Sequence, residues 1–121
     1  RRVVKPSEPL RMFRACEPDR VGSIYWTASP WEALIYACQK TEPVMATAVV
    51  PPEAVVLGRV SVVGAACAAL PEYWLDPEAV PDLDITCVPV PRPREWVADA
   101  FSRGRDSRVL ELLTEAAGGR L

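Results

Sequence analysis

Hydrophobic residues in the first three quarters of the chain occur in short runs that are rich in Val, Ile and aromatic residues and bounded by Pro, Gly or Asp. Such runs are typical of β-strands, because branched and aromatic side chains fit a pleated surface and Pro or Gly ends it. Strands are therefore predicted at residues 10–14, 23–27, 44–50, 55–63, 72–75 and 84–88.

One helix interrupts this pattern, and its start is clearly signalled. Ser29 can cap the helix, Pro30 suits the first helical position, and Glu32 completes a Ser-x-x-Glu capping box. The sequence predicts a helix at residues 30–40. Its apolar residues recur at helical spacing and are expected to face the core: Trp31, Leu34, Ile35 and Cys38.

Two further amphipathic segments follow an extended proline-rich connector. Residues 93–103 and 106–117 are predicted to be short helices, and Gly104 and Gly118 stand where helix C-terminal glycines belong. Their apolar faces consist of Trp96, Val97, Ala100 and Phe101, and of Val109, Leu112, Leu113 and Ala116. These helices either pack on the sheet or present an amphipathic surface to another molecule. We predict a core at residues 1–91 and a C-terminal helical extension at residues 92–121, packed on or near that core.

Composition narrows the class of protein. The chain has 121 residues, half of them apolar, which is enough for one domain with a real core. Its net charge of −2 comes from 16 acidic and 14 basic residues spread along the sequence, so no strong field favours nucleic acid or a membrane surface. No apolar run approaches the roughly 20 residues that span a bilayer, and no signal-peptide pattern opens the chain. We expect a cytoplasmic protein.

The chain contains no histidine, which removes Ser-His and Cys-His nucleophilic pairs and His-ligated metals. The four cysteines, Cys16, Cys38, Cys67 and Cys87, are widely spaced and form no Cys-x-x-Cys pair. That spacing argues against a zinc site and predicts buried, reduced thiols. No metal site is expected.

Four motifs follow one another in a recognisable order. They are Leu-Arg-Met-Phe-Arg-Ala from residue 10, Tyr-Trp-Thr from residue 25 with Trp-Glu-Ala-Leu-Ile-Tyr-Ala after it, Val-Pro-Pro-Glu-Ala-Val from residue 50, and Pro-Glu-Tyr-Trp-Leu-Asp-Pro from residue 71. From about residue 10 to about residue 80, the chain resembles the compact ADP-ribosyltransferase-like proteins of bacteria and phages. The resemblance implies an α+β fold in which two small, mostly antiparallel sheets form a cleft, with flanking helices.

The resemblance also implies that the protein binds NAD as a substrate and transfers ADP-ribose to a protein or nucleic-acid acceptor. Cleavage of the nicotinamide bond passes through a transition state of oxocarbenium character, which a carboxylate beside the ribose stabilises. Glu72 stands where the family has that carboxylate, and Thr27 supplies the supporting hydroxyl. Arg14 matches the arginine that holds the pyrophosphate or its ribose. A shared site requires these three residues to line one cleft.

Aromatic residues complete the implied site. Trp26 is expected to stack on the nicotinamide or, as the alternative, to fill the core, and Tyr36 is a further cleft residue. Tyr25 replaces the family's serine and puts a bulky ring at the mouth of the site. Ala15 replaces a glycine, which restricts how closely the backbone approaches a ligand. Leu70 replaces the second acid of transferases that modify arginine, so an arginine acceptor is not expected.

Two functions of different classes remain open. In the first, the domain is a mono-ADP-ribosyltransferase that uses Glu72, Arg14 and Thr27. In the second, it keeps the fold without the chemistry and engages a host protein as a phage or mobile-element binding module. The site residues have structural alternatives as well: Arg14 could pair with Asp19 or Glu17, and Glu72 could be an exposed edge charge.

Overall fold

Six strands form one open antiparallel sheet, accompanied by three helices, in a computed structural model that describes residues 5–63 and 68–121. The strands are β1 (Leu10–Cys16), β2 (Tyr25–Thr27), β3 (Val44–Val50), β4 (Val55–Val63), β5 (Ala68–Leu75) and β6 (Thr86–Pro89). The helices are α1 (Pro30–Ala37), α2 (Pro93–Ala100) and α3 (Asp106–Ala116). The α+β class and the antiparallel pairing are confirmed.

The sheet is nearly divided at its centre. Its strand order is β4-β5-β2-β1-β3-β6, and β1 pairs with β3 along its whole length, from Leu10↔Val50 to Cys16↔Val44. On its other side, β1 meets β2 through the single pair Phe13↔Thr27. The expectation of two separate sheets is therefore wrong, because this pair joins two three-stranded halves into one sheet.

The short length of β2 explains the division. Thr27 ends the strand, and the helix cap at Ser29 follows almost at once, so β2 is three residues long. All three residues pair with β5. Most of β1 therefore has no strand beside it on the β2 side.

Apolar side chains cover both faces of the sheet. One core cluster joins Phe13 and Met45 to the three helices through residues such as Leu34, Ala100 and Leu113. The second cluster lies on the opposite face. Its buried members are Met12, Trp26, Ala46, Ala48, Val50, Ala54, Val55, Tyr73, Leu75 and Val80. The alternation of side chains along a strand therefore sends neighbours such as Met12 and Phe13 into different cores.

Helix α1 presents a face to the core that differs from the predicted one. Its buried apolar residues are Pro30, Ala33, Leu34 and Ala37. Ile35 is 38% exposed, so its predicted core position is wrong. Successive helical residues are about 100° apart around the axis, so burial of Ala33, Leu34 and Ala37 puts Ile35 on the opposite side of the helix. The helix ends at Ala37, earlier than residue 40.

The C-terminal helices pack on α1 and share its core cluster. Val109 and Leu113 are buried as predicted. Gly118 adopts positive φ just beyond the end of α3, as expected of a C-terminal glycine. Helix α2 ends at Ala100, earlier than the predicted residue 103, so Gly104 does not end it and instead adopts positive φ in the turn before α3. Phe101 is 58% exposed and so does not join the core.

The cysteines are less buried than expected. Cys16 is buried in β1, whereas Cys38 is half-buried and Cys87 is exposed. The prediction of buried thiols is wrong for Cys87, which lies on the edge strand β6. Cys67 lies outside the described residues.

Asp106 links the C-terminal helices to the start of α1. Its Oδ1 accepts hydrogen bonds from Ser29 Oγ at 2.7 Å and from the backbone N–H of Trp31 at 2.9 Å. Ser29 Oγ in turn accepts from the backbone N–H of Glu32 at 3.1 Å, which confirms Ser29 as the cap. The turn before Asp106 is supported by the Arg105 guanidinium, which lies over the rings of Trp31 and Phe101.

We expect Asp106→Ala to lower the free energy of unfolding by about 1–2 kcal/mol, because it removes the acceptor of two hydrogen bonds at the start of α1, from Ser29 Oγ and from the Trp31 N–H. Urea denaturation measures the change. The control Asp84→Ala removes an exposed carboxylate and should change stability by less than about 0.5 kcal/mol. Equal effects of the two substitutions would show that Asp106 does not link the helices.

Candidate functional site

A cleft of about 270 Å³ opens where β1 and β2 diverge. We call it the β1–β2 cleft. It is lined by Phe13, Arg14, Ala15, Tyr25, Trp26, Thr27, Glu32, Ala33, Tyr36, Lys40 and Glu72. The structure thus brings together all six residues that the sequence marked as catalytic or NAD-binding: Arg14, Tyr25, Trp26, Thr27, Tyr36 and Glu72.

The strand register explains why residues far apart in the sequence meet. Thr27 pairs with Glu72 of β5 on one side and with Phe13 of β1 on the other. Directly paired residues of antiparallel strands are close neighbours. Glu72 and Thr27 therefore stand side by side, and Arg14 follows Phe13 on the opposite wall.

Arg14 bridges the gap between the diverging strands. Its Nε donates to the carbonyl of Arg20 and its Nη1 to the carbonyl of Tyr25, each at 3.1 Å. Neither alternative partner accepts from it: the Glu17 carboxylate accepts instead from the backbone N–H groups of Thr41 and Glu42. Arg14 forms no ion pair with any residue that the structure describes. Its guanidinium is thus oriented by neutral carbonyls, with further N–H donors left over.

A buried polar chain runs along the wall opposite Arg14. Thr27 and Glu32 are 7% and 4% exposed. The backbone N–H of Ser29 donates to Thr27 Oγ1, and the Thr27 hydroxyl donates to Glu32 Oε2, both at 3.1 Å. The chain connects the end of β2 to the first turn of α1.

The environment of Glu32 favours its neutral form. Burial raises the pKa of its carboxyl group, and the nearby carboxylates of Glu72 and Asp106 raise this pKa further. The hydrogen bond from Thr27 lowers the pKa of Glu32, but the effect of burial is larger, so the pKa is raised overall. The cleft therefore contains two carboxyl groups in different environments.

The aromatic residues of the cleft differ in accessibility. Tyr25 and Tyr36 are each 47% exposed, and Tyr25 packs edge-to-face on Trp74 with ring centroids 5.4 Å apart. Trp26 is only 2% exposed, and its indole N–H donates to the carbonyl of Ser23 at 2.8 Å. Its ring fills the core, which is the alternative that the sequence left open for Trp26, and this burial leaves no exposed face for stacking on nicotinamide. Tyr25 and Tyr36 provide the accessible rings.

Sequence reasoning missed Glu32 and Lys40 as cleft residues. Glu32 was interpreted only as part of the helix cap. The missed signal for Glu32 was spacing, because Glu32 precedes the predicted cleft residue Tyr36 by four positions, and residues four apart share one face of a helix. Lys40 lies beyond the end of α1 at Ala37, so helical spacing does not account for its place in the cleft.

Comparisons of the chain with protein-family models, with curated proteins and with solved structures gave no match. Within residues 5–63 and 68–121, no helix is long and apolar enough to cross a membrane. The same residues contain no cluster of three or more His, Cys, Asp or Glu side chains able to hold a metal ion. The function is therefore argued from the cleft.

The raised pKa of Glu32 predicts a pH-dependent stability. A carboxyl group whose folded pKa exceeds its unfolded value destabilises the fold progressively as pH rises from the unfolded pKa through the folded one. Glu32→Gln keeps an acceptor for Thr27 without the charge. We expect the variant to have a higher melting temperature than the wild type at neutral pH. The difference should shrink as the pH falls toward the pKa of a glutamate side chain in the unfolded chain.

Thermal unfolding of both proteins at a series of pH values measures this difference. Glu78→Gln is the matched control, because Glu78 is exposed and distant from the cleft lining. A difference between the Glu32→Gln variant and the wild type that stays constant with pH would contradict the assigned shift.

Proposed function

We propose that the β1–β2 cleft binds NAD and that the protein is a mono-ADP-ribosyltransferase acting on a macromolecule. One observation carries the proposal: Arg14, Thr27 and Glu72, which come from three different strands, line a single cleft. The motif resemblance requires this arrangement. The α+β class, with its divided antiparallel sheet, is compatible with the implied fold.

The cleft has suitable groups for a dinucleotide. Arg14 and Lys40 provide two cations for the pyrophosphate, and Tyr25 and Tyr36 provide exposed rings for a base. The two carbonyls that hold Arg14 reduce the side-chain entropy lost on binding. A volume of about 270 Å³ is at the small end for ligand sites. The enclosed part therefore holds the nicotinamide ribose, and the adenosine lies along the open rim.

The proposed chemistry places Glu72 beside the reacting ribose. The bond between C1′ and the nicotinamide nitrogen breaks, and its electron pair leaves with nicotinamide. Positive charge then develops on C1′ and the ring oxygen, where the Glu72 carboxylate stabilises it. A nucleophile of the acceptor bonds to C1′ and releases its proton to solvent. Thr27 stands next to this carboxylate in the β2–β5 ladder, and its hydroxyl, which donates to Glu32, is the supporting group that the resemblance implies.

If Glu72 acts in the transition state, Glu72→Gln should reduce nicotinamide release by a factor of about 10²–10³ while NAD affinity changes only a few-fold. Turnover is measured by chromatography of released nicotinamide, and affinity by calorimetry. Glu78→Gln removes an exposed carboxylate and should alter neither quantity. Full turnover in the Glu72→Gln protein would remove Glu72 from the mechanism.

Arg14→Ala, unlike Glu72→Gln, should mainly weaken NAD binding, by about tenfold or more. The reason is that the charged contact with phosphate is already made in the ground state. The matched control is Arg11→Ala. Arg11 lies on the same strand but donates to Thr47 Oγ1 and does not line the cleft. Thermal unfolding of both variants separates lost affinity from lost structure.

The binding-module alternative predicts a different result. It is favoured by exposed apolar side chains on the helices, including Ile35 and Phe101. A protein that shows no heat of binding with millimolar NAD, and whose partner binding is unaffected by the Glu72 and Arg14 substitutions, would be a binding module and not a transferase.

A further inference from the structure

We propose that Glu32 is a positioning residue for the transfer reaction, which it serves by fixing the hydroxyl of Thr27 beside Glu72. This inference rests on the proposed function and extends it to a residue to which the resemblance gives no role in the site. Glu32 is not assigned a contact with NAD. It affects the reaction through its hydrogen bond with the Thr27 hydroxyl.

The hydrogen bonds of Thr27 show how Glu32 can orient the Thr27 hydroxyl. Thr27 Oγ1 accepts from the backbone N–H of Ser29 and donates to Glu32 Oε2. A hydroxyl carries a single proton, so the acceptor that takes the proton sets its orientation. Thr27 is also the residue that pairs with Glu72 in the β2–β5 ladder. The orientation of this hydroxyl is thus controlled next to the proposed catalytic carboxylate.

Helix capping does not account for the Glu32 carboxylate. The N-terminal N–H groups of α1 are served by Ser29 Oγ and by Asp106 Oδ1. The backbone N–H of Ser29, which the glutamate of a capping box would accept, donates to Thr27 instead. The Glu32 carboxyl group is therefore buried beside the cleft in contact with Thr27, at a position where desolvation penalises a charge.

Protonation of Glu32 would alter the arrangement. A neutral Glu32 carboxyl can donate to Thr27 Oγ1, which frees the Thr27 proton for another acceptor such as Glu72. Among the described side chains, Glu72 on β5 and Asp106 on α3 act electrostatically on Glu32, and Arg14 and Lys40 line the same cleft.

The other elements packed against α1 carry further titratable groups, except β3, which has none. They are Arg11 and Cys16 on β1, Tyr25 on β2, Arg94, Glu95 and Asp99 on α2, and Arg108, Glu111 and Glu115 on α3. Asp99 is paired with Arg103 and Arg108. Among the described groups, Glu72 and Asp106 are the charges that raise the pKa of Glu32.

The first test measures NAD cleavage by the full chain with Glu32→Ala and Glu32→Gln. Glu32→Ala should reduce kcat by about tenfold or more, with KM for NAD changed less than about threefold, because positioning acts in the chemical step. Glu32→Gln should recover most of kcat at neutral pH, since its amide oxygen accepts the same hydrogen bond. The recovery separates positioning from a general loss of folding.

The pH profile of kcat distinguishes positioning from a purely structural role. The wild-type profile should show an ionisation that belongs to Glu32, and this ionisation should be absent from the Glu32→Gln profile. In the protein without NAD, carbon-13 NMR of the Glu32 carboxyl should show a pKa that rises in Thr27→Val and falls in Glu72→Gln.

The outcomes separate the two proposals. If the wild type does not cleave NAD, the proposed function fails and this inference fails with it. If the wild type cleaves NAD and Glu32→Ala keeps its kcat, the inference alone is overturned. It is equally overturned if the Glu32 titration is unchanged in Thr27→Val, because the hydroxyl would then not be bonded to Glu32 in solution.

Discussion

Among the described residues, a single pair, Phe13↔Thr27, makes the strand pairing between the two halves of the sheet, and the cleft opens where that pairing stops. Backbone groups that lose a ladder partner need another one. Arg14 meets part of this need by donating to the carbonyls of Arg20 and Tyr25 across the gap. The side chain proposed to bind phosphate is therefore the same one that spans the divided sheet, so stability and binding are coupled at this position.

The C-terminal helices connect to the cleft through a chain of polar contacts. Asp106 on α3 bonds to Ser29 Oγ and to the first turn of α1, and the backbone N–H of Ser29 bonds to Thr27. Thr27 reaches Glu32 and stands opposite Glu72. The helices beyond the reach of the motif resemblance thus help to hold one wall of the proposed site, in addition to covering the core.

Local patterning predicted strands best where Pro marks their ends, as Pro51 does after β3. It missed the start of β5, which begins at Ala68 and contains Pro71, whereas the predicted strand began at residue 72. The bounds of β3 and β4 coincide with the predicted ones, and Ser29 caps α1 as expected. The single sheet was not predictable, since it depends on one long-range pair. Ile35 was misplaced because helical periodicity alone does not show which apolar face a sheet will cover.

The sequence predicted the residues of the candidate site to which the motif resemblance gives a role. Arg14, Thr27 and Glu72 were named from the sequence and lie on one cleft. For Trp26 the sequence left open both a ligand contact and a place in the core, because a motif does not distinguish the two faces of a strand, and the structure places its ring in the core. Glu32 was missed because its capping motif supplied a sufficient local explanation.

The most direct test of the account is a titration of the nitrogen-15-labelled protein with NAD, followed by amide NMR. We predict shifts concentrated at Arg14–Ala15, at Tyr25–Thr27, in the first two turns of α1 and at Glu72, because these segments line the divergence of β1 and β2. The same titration with Arg14→Ala should need about tenfold more NAD. Absence of shifts at millimolar NAD, or shifts confined to the helices α2 and α3, would contradict the claim that the divided sheet forms an NAD site.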